Sequence, residues 1–373
     1  NPYLLAAAES LAIHAREQGR LLRSLELYQM AVAKDMASPG ALREITSLEE
    51  EISYRELQTD QVDVLQMGDL NPAPSRHHPT KVTALEVAPV PTYFLSADDM
   101  GNIQITALIQ DATPDLVPDT RASLHASGKT FASWILPQDG TFVSAGEDGQ
   151  ILQVHFTPGR ELSIRRRFEH GHPIEGLIRA GNRRVAFVDN KGDIFLLELE
   201  SGIIQPFPRK ETIPIRKLAS CGGWLVATNK DVGVECWTIH PRPELIWVSE
   251  IDRTDEIVFA EAIPPTHLML GTVEGSLLSL DLQTGNEVEM QTMPSRNGTP
   301  HLASFHPDHN ISVWAFPTGS ILVNIGEKGP RLLAQTEPVR CMDVDFQNGM
   351  IVHADAHNTL HVNSFPGLQE MES

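Results

Sequence analysis

The feature that most constrains the fold is a turn that recurs along most of the chain. Its clearest copy lies in the stretch Ser144–His155, where small residues lead into Glu147-Asp148-Gly149 and then into an alternating apolar strand. An acidic residue followed by Gly between two strand-like runs is typical of a β-hairpin. The same turn falls at Gly101, Gly149, Gly192, Gly233, Gly275 and Gly319, with Asn358 in the place of Gly at the last position. Successive copies are separated by between 39 and 48 residues.

A repeat of this length, with four short strands in each copy, is typical of propeller blades. The first strands of the units are predicted to begin near Val82, Phe131, Ile174, Ile215, Ile257, Leu302 and Val339. The fold class is therefore mainly β, a seven-bladed β-propeller with four-stranded antiparallel blades. The seventh unit ends after its third strand, so we expect the alternating strand at 61–67 to supply the fourth and to close the ring.

Residues 1–58 differ from the rest of the chain because they are rich in Ala, Leu, Glu and Arg, which favour helices. Gly19 and Ser38-Pro39-Gly40 divide this segment into three predicted helices. Ser24, Tyr28 and Ala31 follow the spacing of a tetratricopeptide repeat, which the segment resembles over about 34 residues, although Met36 replaces the usual Pro. A plain helical hairpin that cushions the propeller is the alternative. The domains are thus 1–58 helical, 61–366 propeller and 367–373 tail.

The blade pattern resembles that of the WD-repeat propeller family over roughly residues 61–366. The name-giving Trp-Asp dipeptide ends no unit, and Gly171-His172 is the best remnant of the family's Gly-His dipeptide. The resemblance is to degenerate repeats, so the hydrogen-bond network that braces regular blades is expected to be missing from most of them.

The formal net charge of −20 argues against binding to nucleic acid or to an anionic membrane surface, because both need clustered Lys and Arg. Cys221, Cys236 and Cys341 are far apart in sequence, and we expect three reduced, mostly buried thiols in a cytoplasmic protein. The chain opens without Met, which is compatible with a fragment of a larger multidomain protein or complex.

Two stretches resemble known chemical sites without completing them. Ser127-Gly-Lys-Thr130 has the end of a phosphate-binding loop, but Ser123 stands where the motif needs Gly, and a strand rather than a helix is predicted to follow. His301, His306, Asp308 and His309 could hold zinc, yet they fall where the other units have a hairpin turn. We therefore expect no catalytic residues, no metal and no cofactor.

The candidate partner-binding residues are Arg165, Arg166, Arg167, His170 and His172, which lie on and after a predicted outer strand. Three arginines in an acidic protein can bind an acidic segment of a partner. Alternatively, they pair with the chain's own carboxylates or protect a strand edge. The resemblances imply a non-catalytic scaffold or a regulatory or signalling module that binds a partner protein or peptide. The alternative is a small-ligand- or metal-binding propeller enzyme, hydrolase- or lactonase-like, with its site at the mouth of the channel.

Overall fold

A computed structural model shows the fold of most of the chain. It describes Ala12, Ile13 and Tyr28, and residues 75–365 apart from short gaps at 89–92, 110–114, 127, 137–138, 182, 210–213, 222, 230–232, 241, 250–256, 264–266, 273–275, 293–299, 307–310, 326–329 and 336. The chain divides into two compact units, residues 1–66 with 291–294 and residues 67–290 with 295–373. Apart from Ala12, Ile13 and Tyr28, the predicted helices of residues 1–58 lie outside the described residues, and so does the predicted strand at 61–67.

Seven sheets of four antiparallel strands lie within residues 75–364. Their first strands are β2 (Val82–Val87), β6 (Thr130–Leu136), β10 (Ile174–Arg179), β14 (Ile215–Cys221), β18 (Ile257–Ile263), β22 (Leu302–His306) and β26 (Val339–Asp345). Their second strands are β3 (Tyr93–Asp98), β7 (Thr141–Gly146), β11 (Arg184–Asp189), β15 (Trp224–Asn229), β19 (His267–Thr272), β23 (Ile311–Ala315) and β27 (Met350–Asp355).

The third strands are β4 (Asn102–Ile109), β8 (Gln150–His155), β12 (Ile194–Glu198), β16 (Gly233–Thr238), β20 (Ser276–Asp281), β24 (Ser320–Ile325) and β28 (Thr359–Ser364). The outer strands are β5 (Asp115–Ser123), β9 (Ser163–Glu169), β13 (Ile204–Pro206), β17 (Glu244–Ser249), β21 (Glu287–Thr292), β25 (Pro330–Gln335) and, in the last sheet, β1 (Ser75–His77). We number the blades 1 to 7 in the order of their first strands.

The first strands form the inner ring of a propeller. Each contacts the first strand of the next blade, and β26 of blade 7 contacts β2 of blade 1, so the ring is closed. The seven-bladed propeller with four-stranded antiparallel blades is therefore confirmed. The second strands lie between neighbouring blades and are buried on both faces, as in β7 and β27, where every residue is buried. This explains why these strands read as nearly continuous runs of apolar and small residues.

Blade 7 is closed by β1, which pairs with β28 through Ser75↔His361, Arg76↔Leu360 and His77↔Thr359. The alternating residue pattern predicts residues 61–67 in this position. The difference has a physical reason, because all three residues of β1 are exposed and their side chains carry no apolar alternation. Their contribution to the sheet is made by the backbone, which the residue pattern does not reveal.

The recurring turns adopt the conformation that the repeated Gly predicts. The backbone φ angle is positive at Gly101, Gly149, Gly192, Gly233 and Gly319, and at Asn358, which has a φ of 63°. Gly149, with a φ of 73°, also needs to be small, because an added Cβ would lie 3.0 Å from the carbonyl oxygen of His172. Gly275 lies outside the described residues.

The core consists of apolar clusters between consecutive blades rather than one central mass. Six such clusters lie between blades 7 and 1, 1 and 2, 2 and 3, 3 and 4, 4 and 5, and 6 and 7. Between blades 5 and 6 the rings of Phe259 and Trp314 meet edge to face, with centroids 6.0 Å apart. The three cysteines form no disulfide. In the part of the chain that the structure describes, no helix is long and apolar enough to cross a membrane.

Candidate functional site

A group of hydrogen-bonded polar side chains forms a brace in blade 2. His125 enters from the connection between blades 1 and 2, and its Nδ1 lies 3.0 Å from Asp148 Oδ1. Its Nε2 lies 3.0 Å from Ser144 Oγ on β7. Asp148 also accepts hydrogen bonds from the backbone N–H groups of Gln150 and Ala126, at 3.0 and 3.1 Å. The ring and the carboxylate thus fasten the blade connection to the recurring turn.

The pKa values of this brace follow from its burial and its bonds. Burial alone would raise the pKa of Asp148, but hydrogen bonds from Gln150 and His125 outweigh it, and the pKa lies below its usual range. Burial lowers the pKa of His125, and the bond to Asp148 only partly opposes this. The brace therefore places an ionised carboxylate beside a neutral imidazole. Both groups bond to other parts of the protein, so their role is structural.

Blades 1 and 3 carry related braces. In blade 1, His78 Nδ1 lies 2.9 Å from the carbonyl oxygen of Thr80, and the hydroxyl of Thr80 donates to Asp98 at the turn. In blade 3, His170 Nε2 lies 3.2 Å from Asp189 Oδ2 at the equivalent turn. We expected such bonds to be missing from most blades, and the three blades that have them are consecutive.

Blade 4 replaces the histidine with arginine. The guanidinium of Arg209 donates from Nε to Glu235 Oε2 at 2.9 Å and from Nη2 to Glu235 Oε1 at 3.0 Å, and both side chains are nearly buried. His78, His125, His170 and Arg209 follow one another at intervals of the blade repeat. That recurrence is the signal by which the sequence could have identified the braces.

The candidate arginines lie on the outer strand β9, which is exposed along most of its length. Arg166 is not available to a partner in the way that the sequence suggested, because its Nη1 donates to the carbonyl oxygens of Leu199, at 2.7 Å, and Glu200, at 2.5 Å. Arg165 and Arg167 are exposed, and Arg165 is the extra residue of a β-bulge. Arg166 thus fastens β9 to blade 3, while its two neighbours face solvent.

The two candidate histidines have different surroundings. The ring of His170 packs edge to face against Phe195 and Phe187, with centroids 4.4 and 5.0 Å apart, so it belongs to the brace and the core. His172 is half-buried, and its Nε2 lies 2.9 Å from the Nζ of Lys191. His170 therefore leaves the set of candidate partner contacts, whereas His172 stays near the surface.

The candidate metal ligands and the phosphate-loop-like stretch form no such site among the described residues. His301 Nε2 lies 2.5 Å from the carbonyl oxygen of Val339, the ring of His306 packs on Phe346, and Asp308 and His309 lie outside the described residues. Among the residues that the structure describes, no three His, Cys, Asp or Glu side chains are arranged to hold a metal ion. Thr130, the last residue of the phosphate-loop-like stretch, is buried at the start of β6.

The inner ring contains three carboxyl groups that no motif in the sequence indicates. Glu86, Glu261 and Asp343 are each the fifth residue of a first strand. Burial, with the nearby charge of Asp343, raises the pKa of Glu86 and that of Glu261 to about 8, and burial raises the pKa of Asp343 to about 6. Because the three residues occupy the same position in their strands, an alignment of the blade sequences would have identified them.

Two of these carboxyl groups connect neighbouring blades. Glu86 Oε2 accepts a hydrogen bond from the backbone N–H of Trp134 in blade 2 at 3.1 Å. Asp343 Oδ2 accepts one from the backbone N–H of Val87 in blade 1 at 2.6 Å. These bonds join blades 7, 1 and 2 at the inner ring, so the first role of the two carboxyl groups is to hold the ring closed.

Blade 7 contains a buried histidine whose surroundings differ from those of His125 in blade 2. His353 on β27 is 0% exposed, and neither of its ring nitrogens has a hydrogen-bond partner among the described residues. Its ring stacks on that of His361, with centroids 4.8 Å apart, and His361 Nε2 lies 2.9 Å from Asp355. Burial lowers the pKa of His353 to about 3. The imidazole is therefore neutral at physiological pH.

Comparisons with known proteins support the fold and leave the family open. No family model matches the chain, and no curated protein matches it. Many solved structures are similar to it. One of them is the crystal structure of the computationally designed protein Ika8, with a TM-score of 0.63 and 15% sequence identity over 80% of this chain and all of the designed chain. At this identity the similarity shows a shared fold and carries no functional information.

Proposed function

We propose that the chain is a non-catalytic interaction module, a scaffold or regulatory protein whose propeller binds a partner protein. The observation that carries the proposal is the strand β9, which exposes Arg165 and Arg167 while Arg166 fastens it to the backbone of blade 3. Guanidinium groups on a fixed strand suit a carboxylate-rich segment, because less conformational entropy is lost when they pair. His172, which follows β9 in the chain and is half-buried, is a further candidate contact for the partner.

Kinship with the WD-repeat propellers is part of this proposal. It is supported by the blade repeat and by the braces of blades 1 to 3. In blades 2 and 3 a histidine from the incoming connection binds an aspartate at the recurring turn, and in blade 1 the histidine is linked to Asp98 through Thr80. The predicted tetratricopeptide-like segment, residues 1–58, would offer a second contact for a partner peptide, and a cytoplasmic location follows from the same kinship. These remain proposals, since no family model matches the chain.

The experiment is quantitative partner capture by the full chain. The double charge reversal Arg165→Glu and Arg167→Glu is compared with Lys81→Glu, which reverses an exposed lysine just before β2 of blade 1. The double reversal is expected to lower capture of the main partner by about tenfold, and the control variant is expected to leave it unchanged. Equal capture by all three proteins would exclude β9 as the binding surface.

The alternative, a ligand- or metal-binding propeller enzyme, is favoured by one observation. Three carboxyl groups with raised pKa values on the inner ring are a feature that an active site at the channel could use. Elemental analysis of the purified protein separates the two proposals. Stoichiometric zinc or calcium would favour the enzyme and count against a pure scaffold.

A further inference from the structure

The outer strands of the blades are sheet edges, and most carry features that prevent pairing with other chains. β9 has three consecutive arginines, β1 and β13 are only three residues long, and β25 begins with Pro330-Arg331. Charged residues, Pro and short length are the usual protections of an exposed edge. They show that this propeller generally keeps its outer strands from adding a further strand.

The middle of the outer strand of blade 4 lacks these protections. In β17 the stretch Leu245-Ile246-Trp247-Val248 contains no charged residue and no Pro. Leu245 and Ile246 are each 39% exposed, and Val248 is 47% exposed. We call Leu245, Ile246 and Val248 the apolar strip. Contiguous exposed apolar residues on a soluble domain are a mark of an interaction surface.

A comparison of β-bulges strengthens this point. Outer strands β5, β9, β17 and β25 each contain one extra residue where they pair with the third strand of their blade, namely Asp119, Arg165, Ile246 and Leu333. The residue is charged in β5 and β9, apolar but packed against a core cluster in β25, and apolar and exposed in β17. At the same structural position, blade 4 therefore presents an apolar side chain where blades 1 and 2 present a charge.

The apolar strip is held in place by Trp247. Its indole Nε1 donates to the carbonyl oxygen of Leu282 in blade 5 at 2.8 Å. The indole also covers Gly285, where an added Cβ would lie 2.6 Å from the ring. Because Trp247 anchors the middle of β17, the exposed side chains on both sides of it lose little entropy when a partner covers them.

The charges beside the strip indicate the chemistry of its partner. Glu244 at the start of β17 is exposed, as is Glu287, two residues after the Gly285 that Trp247 covers. One exposed cation, Arg242, lies two residues before β17, so the two carboxylates outnumber it, and the whole chain has a net charge of −20. We propose that the apolar strip binds an extended segment of a partner protein with apolar side chains at alternate positions and Lys or Arg at its ends. The inference rests on the proposed interaction function and adds a surface separate from β9. Apolar contacts would supply affinity, and the flanking charges would set specificity.

The test measures binding of a labelled peptide to the full chain by fluorescence anisotropy. The probe is Lys-Val-Thr-Val-Thr-Val-Lys, and the charge-reversed peptide Glu-Val-Thr-Val-Thr-Val-Glu is its control. We expect the basic probe to bind at least about tenfold more tightly than the acidic control, and the variants Ile246→Lys and Val248→Lys each to weaken its binding by about tenfold. Ile203→Lys, which changes an apolar residue that is 54% exposed outside the strip, is expected to have no effect.

The contrary results are equally specific. The proposal is overturned if the probe does not bind, if both peptides bind equally, or if Val248→Lys binds as well as the unaltered chain while its circular dichroism shows a folded protein. Self-association of the chain that Val248→Lys abolishes, without peptide binding, would overturn it in favour of a second copy as the occupant. The double variant Arg165→Glu and Arg167→Glu separates the two proposals, because it should lower partner capture and leave binding of the probe unchanged.

Discussion

Blades 2 and 7 each bury a histidine close to an aspartate of the recurring turn, but they use it in opposite ways. In blade 2 both ring nitrogens of His125 have partners, Asp148 and Ser144. In blade 7 neither nitrogen of His353 has one in the described structure, and the aspartate is taken by His361 instead. The comparison teaches that the stability of a blade depends on whether the buried ring is satisfied, since an unbonded buried polar group costs free energy.

The largest expected effect is the loss of the brace in blade 2. His125→Leu leaves Ser144 without its ring partner and leaves Asp148 with fewer donors, so the free energy of unfolding should fall by about 3 kcal/mol. Urea denaturation followed by tryptophan fluorescence measures this change. A loss below about 1 kcal/mol would mean that the brace is not a main source of stability.

The pH dependence of blade 7 should come next in size. The pKa of His353 is about 3 in the folded chain and near 6.5 when unfolded, so unfolding takes up a proton below pH 6.5. The contribution of this group is fully present above pH 6.5 and is lost as the pH falls toward 3. At pH 5 the loss should reach about 2 kcal/mol. His353→Leu should remove it, and a constant difference between the two proteins from pH 7.5 to pH 5 would contradict the assignment.

At neutral pH, His353→Leu should change the free energy of unfolding in the direction opposite to that of His125→Leu. At pH 7.5, His353→Leu removes two unbonded ring nitrogens from a fully buried position and keeps most of the apolar contacts. The free energy of unfolding should therefore rise by about 1 kcal/mol, whereas His125→Leu lowers it. Denaturation of the two variants side by side is the measurement. A loss of stability in both would show that His353 has a bonding partner beyond the described residues.

The smallest effect is expected at the closing strand. Arg76 Nη1 on β1 donates to the carbonyl oxygen of Leu116 in blade 1 at 2.8 Å. Arg76→Ala should lower the free energy of unfolding by less than about 1 kcal/mol, because much of this side chain is exposed. Hydrogen exchange should show faster exchange in β1 and unchanged exchange in blade 2. His77→Ala, which alters an exposed side chain of the same strand, is the control.

The sequence predicted those parts of the fold that require a particular residue type. Gly149 and Asn358 occupy the same position in two of the recurring turns, because this position needs a positive φ that few residues tolerate. The turns could therefore be recognised in the sequence, and the blades could be counted from them. The closing strand could not be located in the same way. Ser75, Arg76 and His77 contribute backbone hydrogen bonds, which any residue but proline can supply.

The candidate site was predictable only in part, for a related reason. The exposure of Arg165 and Arg167 follows from their position on an outer strand. The role of Arg166 depends on the carbonyl groups of Leu199 and Glu200, which come near only when blades 2 and 3 pack. His125 was missed because it is not preceded by Gly, although its spacing from His78 and His170 follows the blade repeat.

The short strand that closes blade 7 has a consequence for mechanical force. Antiparallel pairing sets Ser75 opposite His361, so the N-terminal end of β1 and the C-terminal end of β28 lie at the same end of the pair. Tension applied through the chain segments that leave these ends would load the three residue pairs one after another instead of all together. The ring would then open by unzipping at blade 7, while the other blades, whose outer strands follow directly from their own hairpins, would carry little of the load.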